Sequence, residues 1–150
     1  SFLILALLFK KNIKKITIIS EMADPVGVDA QKFCDSSPIP VEISNDLKDV
    51  IHDLDVVYMN AIAFLGDSYR TLGSRFQIGN NSGLKDNAVV LHPLARNEEL
   101  DTNLDDTPHN LYFNQANGAV YIRQALLLAI FDRLEEALPP ELIKKNNIGE

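Results

Sequence analysis

Apolar residues fall in short runs along this chain, each closed by a polar turn, and the spacing within a run separates strands from helices. Phe2–Phe9 is apolar on nearly every face, which predicts the end of a buried helix. Ile16–Ile19, reading ITII, is short and β-branched and predicts a buried strand. Pro25 and Gly27 mark a loop into a helix over Val28–Asp35, which Ser36-Ser37-Pro38 ends. Val41–Ile43 predicts a second, shorter strand, after which Ser44 or Asn45 can cap a helix over Asp46–Leu54. Asp55–Met59 (DVVYM) and Ala88–Leu91 predict the third and fourth strands. Between them, Asn60–Leu84 is glycine-rich and aperiodic, which predicts a mobile loop with one short helix around Ser68–Leu72. Leu111–Phe113 leads into a long final helix, where Ile122, Leu126, Ile130, Leu134 and Leu138 belong to one apolar stripe with Arg133 at its edge. Pro139-Pro140 stops it.

Strands alternating with helices make a doubly wound parallel sheet flanked by helices, an α/β class, the expected architecture. Residues 1–150 then form one domain. Sheets of this kind bind ligands beyond the carboxyl ends of their strands. No G-x-G-x-x-G turn is present, so the architecture does not bring a dinucleotide with it.

Composition narrows the function classes. At 150 residues and 46% hydrophobic, the chain is long enough for a proper core. Its formal charge of −7 argues against nucleic acid or an anionic membrane as partner, since either needs a clustered cationic face. Lys10, Lys11, Lys14 and Lys15 do cluster, and read as a solvated helix end. Cys34 is the only cysteine, so no intrachain disulfide forms and a reducing, cytoplasmic setting is expected. No His or Cys cluster has metal-ligand spacing, so no metal is expected. His52, His92 and His109 are widely separated and read as capping or packing residues. Ser1–Phe9 is far shorter than the roughly twenty residues of a membrane span and lacks the basic leader of a signal peptide.

The densest chemistry lies in Ala88–Glu99, AVVLHPLARNEE, where an apolar run ends at His92-Pro93-Leu94 and turns polar at Arg96. That pattern predicts a buried parallel strand delivering a loop to the carboxyl edge of the sheet. The series HPL-x-R-x-x-E, then D-x-TPH from Asp105, then YF-x-Q from Tyr112, then Arg123 and Ala125-Leu126-Leu127 resembles the carboxyl-terminal half of the aspartate carbamoyltransferases, in the aspartate/ornithine carbamoyltransferase family. Asp55–Met59 sits where that family has the strand ending in YMTR. Pro93 stands where the ornithine branch has cysteine, which favours the aspartate branch.

The resemblance implies transfer of a carbamoyl group from carbamoyl phosphate to the amine of aspartate, in pyrimidine biosynthesis, without a cofactor. It also implies a homotrimer or higher oligomer. The family's Ser-Thr-Arg-Thr motif and catalytic histidine belong to an amino-terminal, carbamoyl phosphate-binding domain that residues 1–150 do not contain. What remains corresponds to the acceptor-binding domain, and by itself is expected to be inactive.

The same resemblance nominates site residues. The HPLPR loop, whose backbone meets the acceptor, falls on Leu94 and Ala95, and it implies a cis peptide before residue 95. The arginine and glutamine of YMTRVQ fall on Ala61 and Ala63, and alanine cannot make an arginine's bidentate contact with a carboxylate. FLGDSYRTLGSRF aligns with a domain-closure loop through Tyr69 and Phe76, and it adds Arg70 and Arg75. Either arginine could replace the lost contact, or both could be exposed and pair with acids such as Asp67. Arg96, with Glu98 and Glu99, either contacts the ligand or positions the loop. Gln115 and Arg123 are expected to fasten the final helix to the loops or to the other domain. Two alternatives stay open: a transcarbamylase with a different amine acceptor, and a non-catalytic scaffold or regulatory subunit that keeps the fold.

Overall fold

The structure, a computed structural model, describes residues 2–60 and 74–137. Its regular elements are α1 (Phe2–Leu7), β1 (Ile16–Ile19), α2 (Val28–Ser36), β2 (Val41–Ser44), β3 (Val56–Tyr58), β4 (Val89–Leu91) and α3 (Tyr112–Ile130). Short 3-10 turns lie over Ile51–Asp53, Ser74–Phe76, Thr102–Leu104 and Leu134–Ala137. Among the described residues all the ladders are parallel, as the alternation of strands and helices requires. β1 pairs with β2, Ile16 opposite Val41, and β3 pairs with β4, Val57 opposite Val90. The single sheet expected from the pattern is present as these two hydrogen-bonded pairs. Packing joins them: Ile19 of β1 lies against the core around β3 and β4, and the Phe2 ring stacks on Tyr58 at 3.8 Å.

Two apolar clusters hold the fold. Leu47, Ile51, Val57, Ile78, Val90, Leu100, Leu104 and Tyr112 form the larger, around β3 and β4, and Leu7, Val26, Cys34 and Ile39 form the smaller. Each large apolar side chain fully buried this way contributes about 1.5–3 kcal/mol. The loops beyond β4 are stitched in by backbone bonds. Val90 N–H donates to His109 C=O and accepts, through its carbonyl, Leu111 N–H, so residues 109–111 run beside β4 on the side away from β3. Ile78 likewise pairs with the chain at Glu99 and Asp101.

Three expectations need correction. The helix expected over Asp46–Leu54 is only the 3-10 turn Ile51–Asp53. The Asp46 carboxylate takes Lys48 N–H, Ser44 Oγ takes Asp46 N–H, and Arg75 C=O takes Leu47 N–H, so the start of this stretch is held by side chains and by a distant carbonyl. The Phe2–Phe9 stretch is not buried on every face: Leu7 is buried, whereas Phe2, Leu5, Leu8 and Phe9 are exposed. The final helix ends at Ile130, before Arg133 and Leu134. Asp132 has φ 55, its N–H donates to Ala129 C=O and Arg133 N–H to Leu128 C=O, the paired bonds of a Schellman stop. The apolar stripe of α3 faces outward, with Tyr121, Ile122, Leu126 and Ile130 exposed. Ser68–Leu72 and Pro139-Pro140 lie outside the described residues.

Candidate functional site

The carboxyl end of β4 carries the chain into His92-Pro93-Leu94-Ala95, next to Met59, whose N–H donates to Leu91 C=O at the end of β3. Leu94 is half-buried and Ala95 exposed, so both nominated loop residues sit on an accessible edge. The Leu94–Ala95 peptide is cis, and Leu94 has φ 52. A left-handed backbone at leucine costs on the order of 1–2 kcal/mol, so something adjacent must hold it.

His92 supplies that hold. It is fully buried, and its Nδ1 accepts Leu94 N–H at 2.9 Å. An imidazole nitrogen that accepts carries no proton, so the proton of the neutral ring is on Nε2. Nε2 lies 3.0 Å from Oε1 of Glu99, also buried, which accepts Asn97 N–H at 2.8 Å as well. The backbone N–H of His92 donates to Gln115 Oε1 at 3.0 Å, in the first turn of α3. Gln115 thus fastens helix to loop, as expected, while Arg123 lies exposed on the same helix. Sequence reasoning treated His92 as a generic packing residue and missed its partnership with Glu99. The available signal was a histidine directly after an apolar strand, since a buried ring must find partners for its nitrogens.

Arg96 is turned inward. Its guanidinium makes a two-pronged contact with Asp105, Nη2 to Oδ2 at 2.7 Å, and Tyr112 Oη donates to Asp105 Oδ1 at 2.5 Å. The guanidinium also lies over the rings of Tyr112 and Phe113, at 5.7 and 5.8 Å. The hydrogen bonds from Arg96 hold the Asp105 carboxyl well below the usual range, at about 2, against the opposing effect of desolvation. Donating to Asp105 in turn raises the Arg96 guanidinium. Burial, reinforced by Asp105, pushes the Tyr112 phenol up to about 12. The guanidinium fork of Arg96 is thus occupied within the chain by Asp105, the arrangement of a residue that positions the loop. Asp105 and Tyr112 were visible in the sequence only as parts of the D-x-TPH and YF-x-Q motifs.

Arg75 Nη2 lies 2.5 Å from Glu21 Oε1, and its guanidinium sits 4.9 Å from the Phe76 ring. Glu21 lies two residues beyond the carboxyl end of β1. The expected acid partner was Asp67, which lies outside the described residues together with Ala61, Ala63, Tyr69 and Arg70. Among the described residues no group of His, Cys, Asp and Glu converges to hold a metal, and no helix is long and apolar enough to cross a membrane.

Comparison with known proteins places this geometry. Residues 1–130 match the family described as aspartate/ornithine carbamoyltransferase, Asp/Orn binding domain. The aspartate carbamoyltransferase catalytic subunit 2 of Shewanella halifaxensis is 40% identical over 89 residues, 56% of this chain and 29% of the relative. The aspartate carbamoyltransferase catalytic subunit of Aliivibrio fischeri is 36% identical over 103 residues, 65% of this chain and 33% of the relative. The chain thus spans about a third of the length of these relatives. Among solved structures, the aspartate transcarbamoylase of Trypanosoma cruzi in complex with aspartate and phosphate superposes with TM-score 0.64 at 24% identity, over 77% of this chain and 37% of that one. The fold is therefore the α/β fold of a transcarbamylase domain.

Proposed function

Because the chain belongs to the aspartate/ornithine carbamoyltransferase family through its Asp/Orn-binding domain, we propose that it is the acceptor-binding half of an aspartate carbamoyltransferase. The observation that carries this reading is the match over residues 1–130, with relatives on the aspartate side of the family. In the reaction, the aspartate amine attacks the carbamoyl carbon of carbamoyl phosphate, the bond to the phosphate oxygen breaks, and the amine loses a proton. Such a step is governed by positioning and charge stabilisation, which two domains supply from opposite sides.

In this reading residues 1–150 form the carboxyl-terminal domain and orient aspartate, while a carbamoyl phosphate-binding domain supplies the other substrate. The backbone at Leu94 and Ala95 receives the amino group of the acceptor. Arg75 or Arg70 takes a carboxylate in place of the family arginine that Ala61 replaces. For Arg75 this means exchanging Glu21 for the ligand, one carboxylate for another. Arg96 serves by bracing the loop through Asp105. The assembly is a cytoplasmic homotrimer or higher oligomer acting in pyrimidine synthesis. The large apolar side chains exposed on α1 and α3 and just past their carboxyl ends, including Leu5, Phe9, Tyr121, Ile122 and Phe131, support a second domain packed against them, since exposed apolar patches mark interaction surfaces.

The test combines the purified chain with the carbamoyl phosphate-binding domain of a relative and follows labelled carbamoyl phosphate. Carbamoyl aspartate is expected from the mixture and not from either part. Product from ornithine and none from aspartate would overturn the aspartate reading.

A further inference from the structure

The His92–Glu99 pair goes beyond what the proposed reaction has used. Both side chains are fully enclosed, and Glu99 is a carboxylate that the fold has buried 3.0 Å from an imidazole rather than from an arginine or lysine. Its Oε1 collects two donors, His92 Nε2–H and Asn97 N–H, while Oε2 meets no hydrogen-bond partner among the described residues. Burying such a group for packing alone is unfavourable, because a methylene chain would fill the space without an unpaired oxygen. The arrangement has a directional consequence. A carboxylate oxygen can only accept, so it selects the ring form with the proton on Nε2 and leaves Nδ1 as an acceptor. That acceptor takes Leu94 N–H.

We propose that His92 is a positioning residue for the acceptor: Glu99 fixes its tautomer, and the selected tautomer fixes the backbone of Leu94, to which the acceptor's amino group binds. This inference rests on the acceptor-binding reading above. Three anchors converge on the turn and define it from different elements. Asn97 holds Glu99 from the following loop, Gln115 holds the His92 backbone from α3, and Nδ1 holds Leu94 itself. The opposite tautomer would set an N–H against Leu94 N–H and an unprotonated Nε2 against Glu99, so one proton decides whether the turn keeps its shape.

The ring form is measurable in the unaltered chain. Nitrogen-15 NMR of the imidazole is expected to report a protonated Nε2 and an unprotonated Nδ1; a protonated Nδ1 overturns the proposal outright. Two variants divide the ring. His92→Asn keeps an oxygen near the place of Nδ1, and His92→Gln reaches toward Glu99 without that acceptor. Hydrogen exchange at Leu94 N–H is expected to accelerate about tenfold or more in His92→Gln, the effect of one hydrogen bond, and less in His92→Asn. In the protein combined with a carbamoyl phosphate-binding domain, His92→Gln is expected to raise the aspartate KM about tenfold while the carbamoyl phosphate KM stays unchanged, with His92→Asn recovering part of the loss. Equal exchange at Leu94 in all three proteins overturns the clamp. Faster exchange with an unchanged aspartate KM overturns its role in positioning the acceptor. If His92→Gln fails to fold, Glu99→Leu provides the same readouts, and its His92 is expected to lose the single ring form. A chain that neither binds nor carbamoylates aspartate removes the acceptor-binding reading and the acceptor role with it, while the NMR and exchange results still decide the clamp.

Discussion

Replacing Asp105 with asparagine removes one charge and almost no volume, and the structure fixes what that charge is worth. Asp105 accepts both prongs of Arg96 and the Tyr112 hydroxyl, and its carboxyl is held at about 2. A carboxyl brought from about 3.9 in the unfolded chain to about 2 gains roughly 2.6 kcal/mol of stability at neutral pH. About a quarter of the side chain is open to solvent, 27%, so screening reduces this to about 1–2 kcal/mol. The sign follows from the direction of the shift. Because the folded value is depressed, the stabilisation is fully present above about pH 5, shrinks as pH falls through 4 and 3, and is gone below about 2. Urea unfolding of the two proteins at a series of pH values between 7 and 3 reads the difference directly. Asp105→Asn is expected to be less stable by about 1–2 kcal/mol at pH 7 and to approach the parent as pH falls. A difference that stays constant across this range would refute the reasoning, because it would mean that the ionised carboxylate is not what braces Arg96.

Tyr112→Phe removes only the hydroxyl that donates to Asp105, and is expected to cost about 1 kcal/mol in urea unfolding. In the parent, ultraviolet titration should show one tyrosine ionising late, near 12. Leu104→Ala opens a cavity in a fully buried position and should cost about 2–5 kcal/mol by thermal or urea unfolding. In the protein combined with a carbamoyl phosphate-binding domain, Arg70→Ala, Arg75→Ala and the double variant are compared for aspartate kinetics. The true carboxylate contact is expected to lower kcat/KM about tenfold or more, and normal kinetics in all three would remove both arginines from the site.

The strands and the loop at the end of β4 were legible in the sequence because buried parallel strands need continuous apolar runs, and Ile16–Ile19 and Ala88–Leu91 are such runs. Element ends were less legible, since they depend on who takes the last backbone groups. Asp46 could open a helix or cap a turn; in the structure its carboxylate takes Lys48 N–H, while Leu47 N–H goes to Arg75, 28 positions along the chain, a contact the local pattern does not encode. The stop at Asp132 depended on a left-handed residue that is not glycine, and aspartate at that place gave no warning. Among site residues, position told more than role. Arg96 was in the right loop, yet its charge is answered by Asp105 from across the following turn, a pairing that spacing alone does not encode. His92 and Glu99 lie seven positions apart in a loop without periodicity, so nothing but folding brings the ring to the carboxylate.

These contacts also explain why a helix so apolar can serve a polar site. α3 carries large apolar side chains outward along most of its length, yet its first turn is tied into the loops beyond β4. Tyr112 is in the larger core and holds Asp105, and Gln115 holds the backbone of His92. In the proposed enzyme the exposed face of α3 meets the second domain, so the element that receives the domain is the one that anchors the acceptor loop. Tyr112 and Gln115, in that first turn, are the residues of α3 that reach Asp105 and His92, and His92 in turn holds Leu94. On that reading the polar contacts at the first turn of α3 connect the face that meets the second domain to the loop that orients the acceptor.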